Sequence, residues 1–495
     1  MFTEDRIMKL KSGTDIRGVA VETDTEQIEL TDEVVEKICI AFSKWIKQKE
    51  NKADIRISVG HDSRISADRI KNAAIKAFKG EGLTVYDFGL ASTPSMFMSI
   101  VLDIKVDCAL EITASHHPYQ RNGLKFFTRN GGLESSELTE ILSLAFNAVS
   151  SNLNGNVIQY DFMSVYCEHL RNVIINEVQC GDKPLNGLKI VVDAGNGVGG
   201  FYAENVLKPL GADVSASEFL EPDGMFPNHI PNPENKQAIE SACEMVKNSG
   251  ADFGLIFDTD VDRMGCVSAS GEEINRNRLV ALASVIALEN NKGETIVTDS
   301  LKSDGLRKFI EQDLGGRQLR FKRGYKNVID KSIELNQSGV NSTLAIETSG
   351  HAALKENYFL DDGAYLATKI IILLAKLNKQ GKSIDEFISS LEEPAESIEI
   401  RIPILLDDFK EYGENVIASL TEYAENRDGW QVEKENYEGV RINIDGGWFL
   451  LRLSVHDPIL PLNVENVNLG VCDEIAKELK QFFSDFDKLD LRNFK

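Results

Sequence analysis

The stretch Leu188-Lys-Ile-Val-Val-Asp-Ala-Gly-Asn-Gly-Val-Gly-Gly200 points most directly to the fold class. Its apolar start, residues 188–192, is typical of a short buried strand, and the glycine-rich turn after Asp193 leads into a helical pattern. A second short stretch at residues 213–216, in which apolar and polar residues alternate, predicts another strand. A strand, a helix and a strand in this order indicate a βαβ unit with parallel strands.

The same order of elements occurs in two other parts of the chain. A predicted strand at residues 56–60 is followed by a helical pattern and by a strand at residues 84–88. A further unit begins with the apolar residues 253–257 and continues through residues 295–298. Because the pattern recurs, the sequence predicts three similar α/β domains with mixed, mainly parallel sheets.

The C-terminal part of the chain has a different order. A buried or amphipathic helix at residues 370–377 precedes a strand at 397–404, a helix, and strands at 441–444 and 448–453. Strands before and after a helix indicate a smaller α+β domain. The predicted domains are therefore 1–153, 154–256, 257–385 and 386–495.

Composition excludes several classes of protein. The chain has 495 residues with 54 Lys+Arg and 78 Asp+Glu, and its formal net charge of −24 disfavours binding to nucleic acid. The longest apolar run, residues 370–375, is far shorter than the roughly 20 residues that span a bilayer, so we expect no membrane association. Seven scattered cysteines without a C-x-x-C pair predict reduced thiols and a cytoplasmic protein.

The first candidate site is Asp258-Thr-Asp260-Val-Asp262-Arg263, which follows an apolar strand. Three alternating carboxylates can converge on one hard cation. An EF-hand is excluded, because Arg263 occupies the sixth loop position and Ala269 the twelfth. Three carboxylates leave coordination positions open, which suits Mg²⁺ completed by water and a phosphate oxygen. The alternative is a solvated acidic turn.

The second candidate is Thr113-Ala-Ser115-His116-His117-Pro118, after a predicted strand at residues 106–112. A serine beside two imidazoles, followed by Asn122, Gly123 and Lys125, is compatible with a nucleophile loop. No G-x-S-x-G elbow surrounds Ser115, and a polar turn explains the spacing equally well.

Three further patterns follow predicted strands, where open α/β sheets bind ligands. Gly195-Asn-Gly197-Val-Gly-Gly200 matches a dinucleotide-binding pattern, with Glu218 as the ribose acid, but Asp193 at the strand end favours a tight turn. Glu347-Thr-Ser349-Gly-His351 could bind sugar hydroxyls. Arg452-Leu-Ser454-Val-His456-Asp457-Pro458 could bind phosphate through its arginine and hydroxyl donors.

The order of these motifs resembles the α-D-phosphohexomutase superfamily over nearly the whole chain. Residues 113–118, with Asn122, Gly123 and Lys125, resemble its phosphoserine loop, and residues 258–263 resemble its Mg²⁺ loop. Residues 347–351 resemble its sugar-binding loop, and residues 452–458 resemble its phosphate-binding loop. Four more stretches match the family: Gly13-Thr-Asp-Ile-Arg17-Gly18, residues 222–233, Gly324-Tyr-Lys326 and Asp361-Asp362-Gly363.

The resemblance implies a fold and a reaction. The fold is four domains around a central cleft, three of them α/β and the last α+β. The reaction is that of an isomerase of the intramolecular phosphotransferase type, which moves phosphate between C1 and C6 of mannose or glucose phosphate. The implied route uses phosphoserine, Mg²⁺ and a hexose 1,6-bisphosphate that serves as activator and intermediate. The implied partner is a small sugar phosphate, and the protein is expected to be a monomer or a dimer.

The resemblance also implies roles for individual residues. The catalytic residues are Ser115, Lys125, Arg17, His351 and Arg263. The substrate-binding residues are His116, Gly324, Lys326, Glu347, Ser349, Arg452, Ser454 and His456. The metal ligands are Ser115, Asp258, Asp260 and Asp262. Either Lys125 or His351 could be the general acid or base.

Departures from the family pattern leave the substrate open. His117 stands where asparagine is usual, and Val455, His456 and Asp457 replace the usual residues of the phosphate-binding loop. The alternatives are therefore a phosphoglucosamine mutase or a non-catalytic sugar-phosphate binding protein. An NAD-dependent oxidoreductase built on the glycine pattern is a third alternative.

Overall fold

The computed structural model describes residues 4–454 and 457–494. These residues form two compact units. The first contains the chain up to Asn275 together with Ser349–Ala352 and Leu360–Ile384. The second contains Arg276–Thr348, Ala353–Phe359 and the chain from Asp385 onward.

The N-terminal sheet of the first unit has parallel strands at its centre and antiparallel strands at one side. Strand Arg56–His61 lies between two parallel neighbours, Thr84–Leu90 and Cys108–Ile112. Across the sheet the order is Lys11–Ser12, Asp15–Val19, Arg121–Thr128, Cys108–Ile112, Arg56–His61, Thr84–Leu90 and Val157–Gln159, and Gly131–Gly132 pairs with Arg121–Thr128. Cys108–Ile112 and Arg121–Thr128 are therefore neighbours, which brings the two ends of the predicted phosphoserine loop together.

Apolar helix faces cover this sheet. The helices are Glu4–Met8, Asp32–Lys49, Ala67–Gly80, Thr93–Val101 and Ser135–Phe146. The second of them begins at Thr31, whose side chain accepts a hydrogen bond from the N–H of Val34. Its Phe42 ring stacks on Phe126 of the sheet, with 4.2 Å between ring centroids, and both residues are buried. Burial of such rings is the main favourable term that holds helix and sheet together.

The second sheet, also in the first unit, has the order Glu273–Ile274, Met264–Ser268, Phe253–Phe257 and Ile190–Asp193. Its last two strands are parallel and the others are antiparallel. The accompanying helices are Phe162–Val178, Lys236–Ser249 and Gly363–Asn378, with a π-helical turn at Tyr202–Leu207.

The predicted strand at residues 213–216 is wrong. Only Asp213 forms a bridge to Lys189. The Asp213 carboxylate accepts a hydrogen bond from the N–H of Ser215 at 3.0 Å. This side-chain contact turns the backbone away from an extended conformation.

The second unit contains a parallel sheet and an antiparallel one. The parallel strands are Arg317–Phe321, Thr295–Asp299 and Ser342–Ile346, in that order. Around them are helices Asn277–Leu288, Asp304–Lys308 and Tyr325–Gln337, a π-helical turn at Phe309–Asp313 and 3₁₀ turns at Lys355–Asn357 and Asp385–Ile388. Two further short strands of the chain are Ala352–Leu354 and Leu360–Asp361.

The C-terminal sheet is entirely antiparallel. Its order is Glu396–Pro403, Ile459–Asn466, Gly447–Leu451, Val440–Ile444 and Gln431–Val432, and its helices are Lys410–Glu425 and Val471–Phe483. The α+β class predicted for this part is confirmed, and the whole chain combines three α/β domains with one α+β domain. The exact domain boundaries stay a prediction. None of the described helices combines the length and the apolar character needed to cross a membrane.

Candidate active site

Ser115 lies in a tight loop directly after strand Cys108–Ile112. Its φ of +50° is in the left-handed region, where a residue with a side chain is strained by on the order of 1–3 kcal/mol. The Ser115 N–H donates a hydrogen bond to Thr113 Oγ1 at 2.9 Å, and the residue is buried. The loop is therefore held in an uncommon conformation that determines where the hydroxyl points.

The hydroxyl of Ser115 points at the acidic loop after strand Phe253–Phe257. Ser115 Oγ donates to Asp258 Oδ2 at 3.1 Å. Arg263 Nη2 donates to the same Ser115 oxygen at 3.2 Å. Two segments far apart in sequence thus bring a hydroxyl, a carboxylate and a guanidinium group together.

Asp258, Asp260 and Asp262 form a buried carboxylate cluster. One carboxylate oxygen from each residue lies within 4.8 Å of those of the other two. Asp260 Oδ1 and Asp262 Oδ1 are buried without a hydrogen-bond partner among the residues that the structure describes. Burial, followed by the charge of Asp262, raises the pKa of Asp258 well above its usual value. The same two causes also raise the pKa of Asp260.

This donor set fits a divalent cation. Buried carboxylate oxygens without partners are costly, and hard oxygen ligands are those that Mg²⁺ prefers. A cation here would satisfy the unpartnered oxygens and offset the repulsion among three carboxylates. The side chains that would hold it are Asp258, Asp260 and Asp262, with Ser115 beside them.

Two cations balance part of the carboxylate charge. Lys125 Nζ donates to Asp262 Oδ2 at 2.7 Å, and both side chains are buried. Burial opposes ionisation of Asp262, but Lys125 and further nearby cations keep the pKa of Asp262 far below its usual value. Arg263 Nε donates to Asp258 Oδ2 at 3.0 Å. Arg17 contacts the loop differently, since its Nη1 donates to the carbonyl oxygen of Thr113 at 2.5 Å.

The two histidines of the site are in opposite protonation states. His116 Nδ1 lies 2.7 Å from Arg263 Nη2 and 3.3 Å from Ser115 Oγ. Burial, together with the charge of Arg263, lowers the pKa of His116 to about 3, so its ring is neutral at pH 7. Because a guanidinium group only donates, Nδ1 of His116 is the acceptor and Nε2 holds the ring proton.

His351 Nδ1 lies 2.5 Å from Asp361 Oδ2. Burial lowers the pKa of His351, but the charges of Asp361 and Asp262 outweigh it and raise this pKa to about 9. His351 is thus an imidazolium at neutral pH. A group that carries a proton and lies next to the carboxylate cluster can act as a general acid.

The sequence did not single out three residues that support this site. Thr93 Oγ1 donates to Asp260 Oδ2 at 2.5 Å, and Asn232 Oδ1 accepts from Arg263 Nη1 at 3.3 Å. The third is Arg64, which bonds to the carbonyl oxygens of the Ser115 loop. Asn232 lies within the matched stretch 222–233, which was a usable signal. For Thr93 and Arg64 the sequence offered only a polar side chain near the end of a predicted strand.

The other predicted residues lie in two places. Ser349 is half-buried in the first unit. In the second unit, Glu347 Oε1 accepts from the N–H of Gly324 at 2.7 Å, at the start of helix Tyr325–Gln337, and Lys326 Nζ contacts Asp330 at 2.7 Å.

The predicted phosphate-binding loop is only partly described. Arg452 Nη1 lies 3.9 Å from Glu438 Oε1, and Ser454 Oγ accepts from the N–H of Asp457 at 3.2 Å. Burial, followed by the nearby charge of Arg323, lowers the pKa of Arg452. Val455 and His456 lie outside the described residues.

At the glycine pattern, residues 195–200, the protein's own backbone occupies the space next to the glycines. A Cβ atom at Gly197 would lie 2.6 Å from the carbonyl oxygen of Thr259, and one at Gly200 would lie 2.2 Å from that of Leu220. The Asp193 carboxylate accepts from the N–H of Gly195 at 2.9 Å. These contacts favour a tight turn over a dinucleotide site.

Comparison with known proteins gives consistent matches. Three family models match successive parts of the chain: phosphoglucomutase/phosphomannomutase alpha/beta/alpha domain I at residues 8–152, domain II at 164–271 and domain III at 275–394. Among curated relatives, a phosphomannomutase/phosphoglucomutase of Pseudomonas putida is 30% identical, with 83% of each chain covered. A phosphoglucomutase/phosphomannomutase of Thermococcus kodakarensis is 30% identical, with 90% of this chain and 92% of the relative covered.

A solved structure extends the match to almost the full length. The crystal structure of a phosphoglucomutase/phosphomannomutase family protein from Burkholderia thailandensis has a TM-score of 0.81 at 26% identity, and the match covers 98% of each chain. The chain therefore belongs to the phosphoglucomutase/phosphomannomutase family, within the α-D-phosphohexomutase superfamily, and is a phosphomutase of the isomerase class.

Proposed function

We propose that this mutase moves phosphate between C1 and C6 of mannose phosphate or glucose phosphate, through phospho-Ser115 and a hexose 1,6-bisphosphate. The observation that carries the proposal is the 3.1 Å hydrogen bond from Ser115 Oγ to Asp258 Oδ2, beside the buried carboxylate cluster. A neutral serine hydroxyl can be satisfied by one hydrogen bond and does not require three aspartates and an arginine around it. The negative charge of a phosphoserine, in contrast, is stabilised by a bound cation and by hydrogen-bond donors such as arginine.

The reaction has two matching halves. In the first, the bond from phosphorus to Ser115 Oγ breaks, a bond from phosphorus to the free sugar hydroxyl oxygen forms, and the proton of that hydroxyl passes through a base to the released Ser115 Oγ. In the second, Ser115 Oγ attacks the other phosphate of the bisphosphate and gives its proton to a base, while the bond from that phosphorus to the sugar oxygen breaks and an acid protonates the released sugar hydroxyl. Arg263 Nη2, 3.2 Å from Ser115 Oγ, stabilises the negative charge that develops on this oxygen in each half.

The remaining roles follow the family resemblance. Bound Mg²⁺, held by Asp258, Asp260, Asp262 and Ser115, would supply electrostatic stabilisation of the transferred phosphoryl group. His351, protonated at neutral pH, is the proposed general acid, and Lys125 and Arg17 complete the catalytic set. The proposed substrate-binding residues are His116, Gly324, Lys326, Glu347, Ser349, Arg452, Ser454 and His456.

Location and domain organisation are part of the same proposal. All seven cysteines are free thiols, and five of them are buried, which supports a reducing, cytoplasmic environment. The proposed domains are residues 1–153, 154–256, 257–385 and 386–495. The proposed oligomeric state is a monomer or a dimer.

The test is a panel of sugar 1-phosphates, each assayed with glucose 1,6-bisphosphate and Mg²⁺. Conversion of mannose 1-phosphate and glucose 1-phosphate to the 6-phosphates is expected, and Ser115→Ala should lower kcat by at least about 10³-fold, as loss of a nucleophile does in other enzymes. Ser143→Ala, on an exposed helix surface, is the matched control and should leave kcat unchanged. Turnover of glucosamine 1-phosphate alone would instead support the alternative substrate. Full activity of Ser115→Ala would contradict the proposal.

A further inference from the structure

Arg64 is a buried arginine whose guanidinium group bonds to the backbone of the Ser115 loop. It lies between strand Arg56–His61 and helix Ala67–Gly80, and only 2% of it is exposed. Its two terminal nitrogens donate to four backbone carbonyl oxygens: those of Ser115, His117 at 2.6 Å, Pro118 at 2.8 Å and Arg121 at 3.0 Å.

Asp62 ties the same loop from the other side. Its Oδ2 accepts from Arg64 Nε at 3.1 Å and from Thr113 Oγ1 at 2.7 Å. Thr113 Oγ1 in turn accepts the N–H of Ser115 at 2.9 Å. The N–H and the C=O of Ser115 are therefore both connected to Asp62, one through Thr113 and the other through Arg64.

A third segment closes over this network. A Cβ atom at Gly224 would lie 2.4 Å from the carbonyl oxygen of Ser63, so the chain packs directly on the backbone next to Arg64. The Phe226 ring lies 5.2 Å from the Arg64 guanidinium carbon. This contact keeps water away from the hydrogen bonds and favours a fixed guanidinium position.

We propose that Asp62 and Arg64 are positioning residues that hold Ser115 in its left-handed backbone conformation and thereby aim its hydroxyl at Asp258 and Arg263. The inference rests on the proposed role of Ser115 as the phosphorylated residue. Neither Asp62 nor Arg64 has a described contact with the Ser115 hydroxyl, so their effect passes through the backbone. A displacement of a reacting atom by about 1 Å can lower a rate about 10²-fold, which makes such a device consequential.

Only an arginine suits this position. Its guanidinium group presents five N–H donors in one plane, whereas a lysine presents a compact charge that reaches fewer carbonyl oxygens. Asp62 balances the buried positive charge, and the Asp62 side chain is itself fully buried. The pair therefore acts as one unit.

The test compares Arg64→Lys with Arg69→Lys in the full-length chain. Arg69 is the matched control, because its guanidinium donates to the carbonyl oxygens of Ala20 and Leu30, both at 2.9 Å, and not to the Ser115 loop. We expect Arg64→Lys to lower kcat about 10²-fold with KM changed less than about threefold, since the loss concerns the aim of the nucleophile and not substrate binding. Arg69→Lys should keep both constants near those of the unchanged protein.

Two further readouts separate positioning from a general loss of stability. Hydrogen exchange of a peptide covering residues 113–121 should become faster in Arg64→Lys and stay unchanged in Arg69→Lys. The rate at which glucose 1,6-bisphosphate phosphorylates Ser115, followed by intact-mass spectrometry, should fall in parallel with kcat.

The outcomes distinguish this inference from the proposed function. If Ser115 of the unchanged protein is phosphorylated and Arg64→Lys is phosphorylated equally fast with an equal kcat, the positioning role is wrong and the mutase assignment stands. If Ser115 of the unchanged protein never accepts phosphate, the proposed function fails for every variant. Arg64→Met is a stronger variant, and if it does not fold, Arg64→Lys alone gives the answer.

Discussion

Asp193 and Asp258 lie at the carboxyl ends of two neighbouring parallel strands and differ in their surroundings. Asp193 is the last residue of strand Ile190–Asp193, Asp258 directly follows strand Phe253–Phe257, and both are fully buried. The Asp193 carboxylate accepts from the N–H of Gly195 and contacts His229 Nε2 at 3.0 Å. Asp258 instead shares its loop with Asp260 and Asp262, each of which has one carboxylate oxygen without a hydrogen-bond partner among the described residues.

The difference shows how a buried acid can serve structure or chemistry. His229 Nδ1 faces the carbonyl oxygen of Ile230 at 3.0 Å while Nε2 faces Asp193, so both nitrogens donate and the ring is an imidazolium. Asp193 thus has its counter-charge within the protein. The cluster of Asp258, Asp260 and Asp262 retains more negative charge than Lys125 and Arg263 neutralise, which is the condition for binding a cation.

The largest expected effect is on the free energy of unfolding when the ion pair between Asp193 and His229 is broken. Asp193→Asn leaves the buried His229 without its counter-charge, and breaking such a pair typically costs about 3–5 kcal/mol. The urea midpoint of unfolding should therefore fall strongly. Asp260→Asn, measured in EDTA, should change it little, because it removes a like charge from the cluster and the amide oxygen can still accept from Thr93. Equal destabilisation by the two substitutions would contradict the comparison.

The next largest effect is on activity, and here Asp260→Asn should have the larger effect and Asp193→Asn the smaller one. Asp260→Asn removes one anionic ligand, and kcat should fall about 10²–10³-fold, the range found when a single electrostatic contributor is lost. Asp193→Asn, assayed below its unfolding midpoint, should keep kcat within about tenfold of the unchanged protein, because it has no described contact with Ser115. Steady-state kinetics with saturating Mg²⁺ measures both.

Mg²⁺ itself should stabilise the folded state by a smaller amount. At a concentration 100 times its Kd, a ligand that binds only the folded protein adds about 2.7 kcal/mol. Thermal unfolding with and without Mg²⁺ should show this increase in the unchanged protein and in Asp193→Asn. An equal increase in Asp260→Asn would place the cation elsewhere.

The smallest effect is a pH dependence from His229. Burial lowers the pKa of His229, but the hydrogen bond and charge of Asp193 outweigh it, so the folded-state pKa is raised above 6.5. The stabilisation is therefore fully present below pH 6.5 and is lost as the pH rises through the raised value, with a slope of at most about 1.4 kcal/mol per pH unit. Subtracting the profile of Asp193→Asn from that of the unchanged protein isolates this contribution. A flat difference would show that Asp193 does not raise the pKa of His229.

The sequence predicted much of the fold and which loops form the candidate site, because both depend on local signals; the roles of the site residues stay a prediction. Strand–helix–strand order indicates the sheets, and Ser115 and Asp258 lie directly after apolar strands. The contacts of Arg64 and Thr93 could not be predicted in this way, since they join positions 51 and 167 residues apart. Such contacts depend on how whole elements pack, and a single polar residue gives no sign of them.

One prediction of secondary structure, the strand at residues 213–216, is wrong because of a local side-chain hydrogen bond. Residues 213–216 have the apolar alternation of a strand, yet the Asp213 side chain competes for the backbone of Ser215. The assignment of the phosphate-binding loop depends partly on His456, outside the described residues, so its role stays a prediction.

The most direct test of the account is to map phosphate on the purified protein after incubation with glucose 1,6-bisphosphate and Mg²⁺. Peptide mass spectrometry should find one phosphate, on Ser115, that disappears when excess glucose 6-phosphate is added and is absent from Ser115→Ala. A phosphate on another residue, or none on Ser115 while the enzyme turns over, would contradict the central claim.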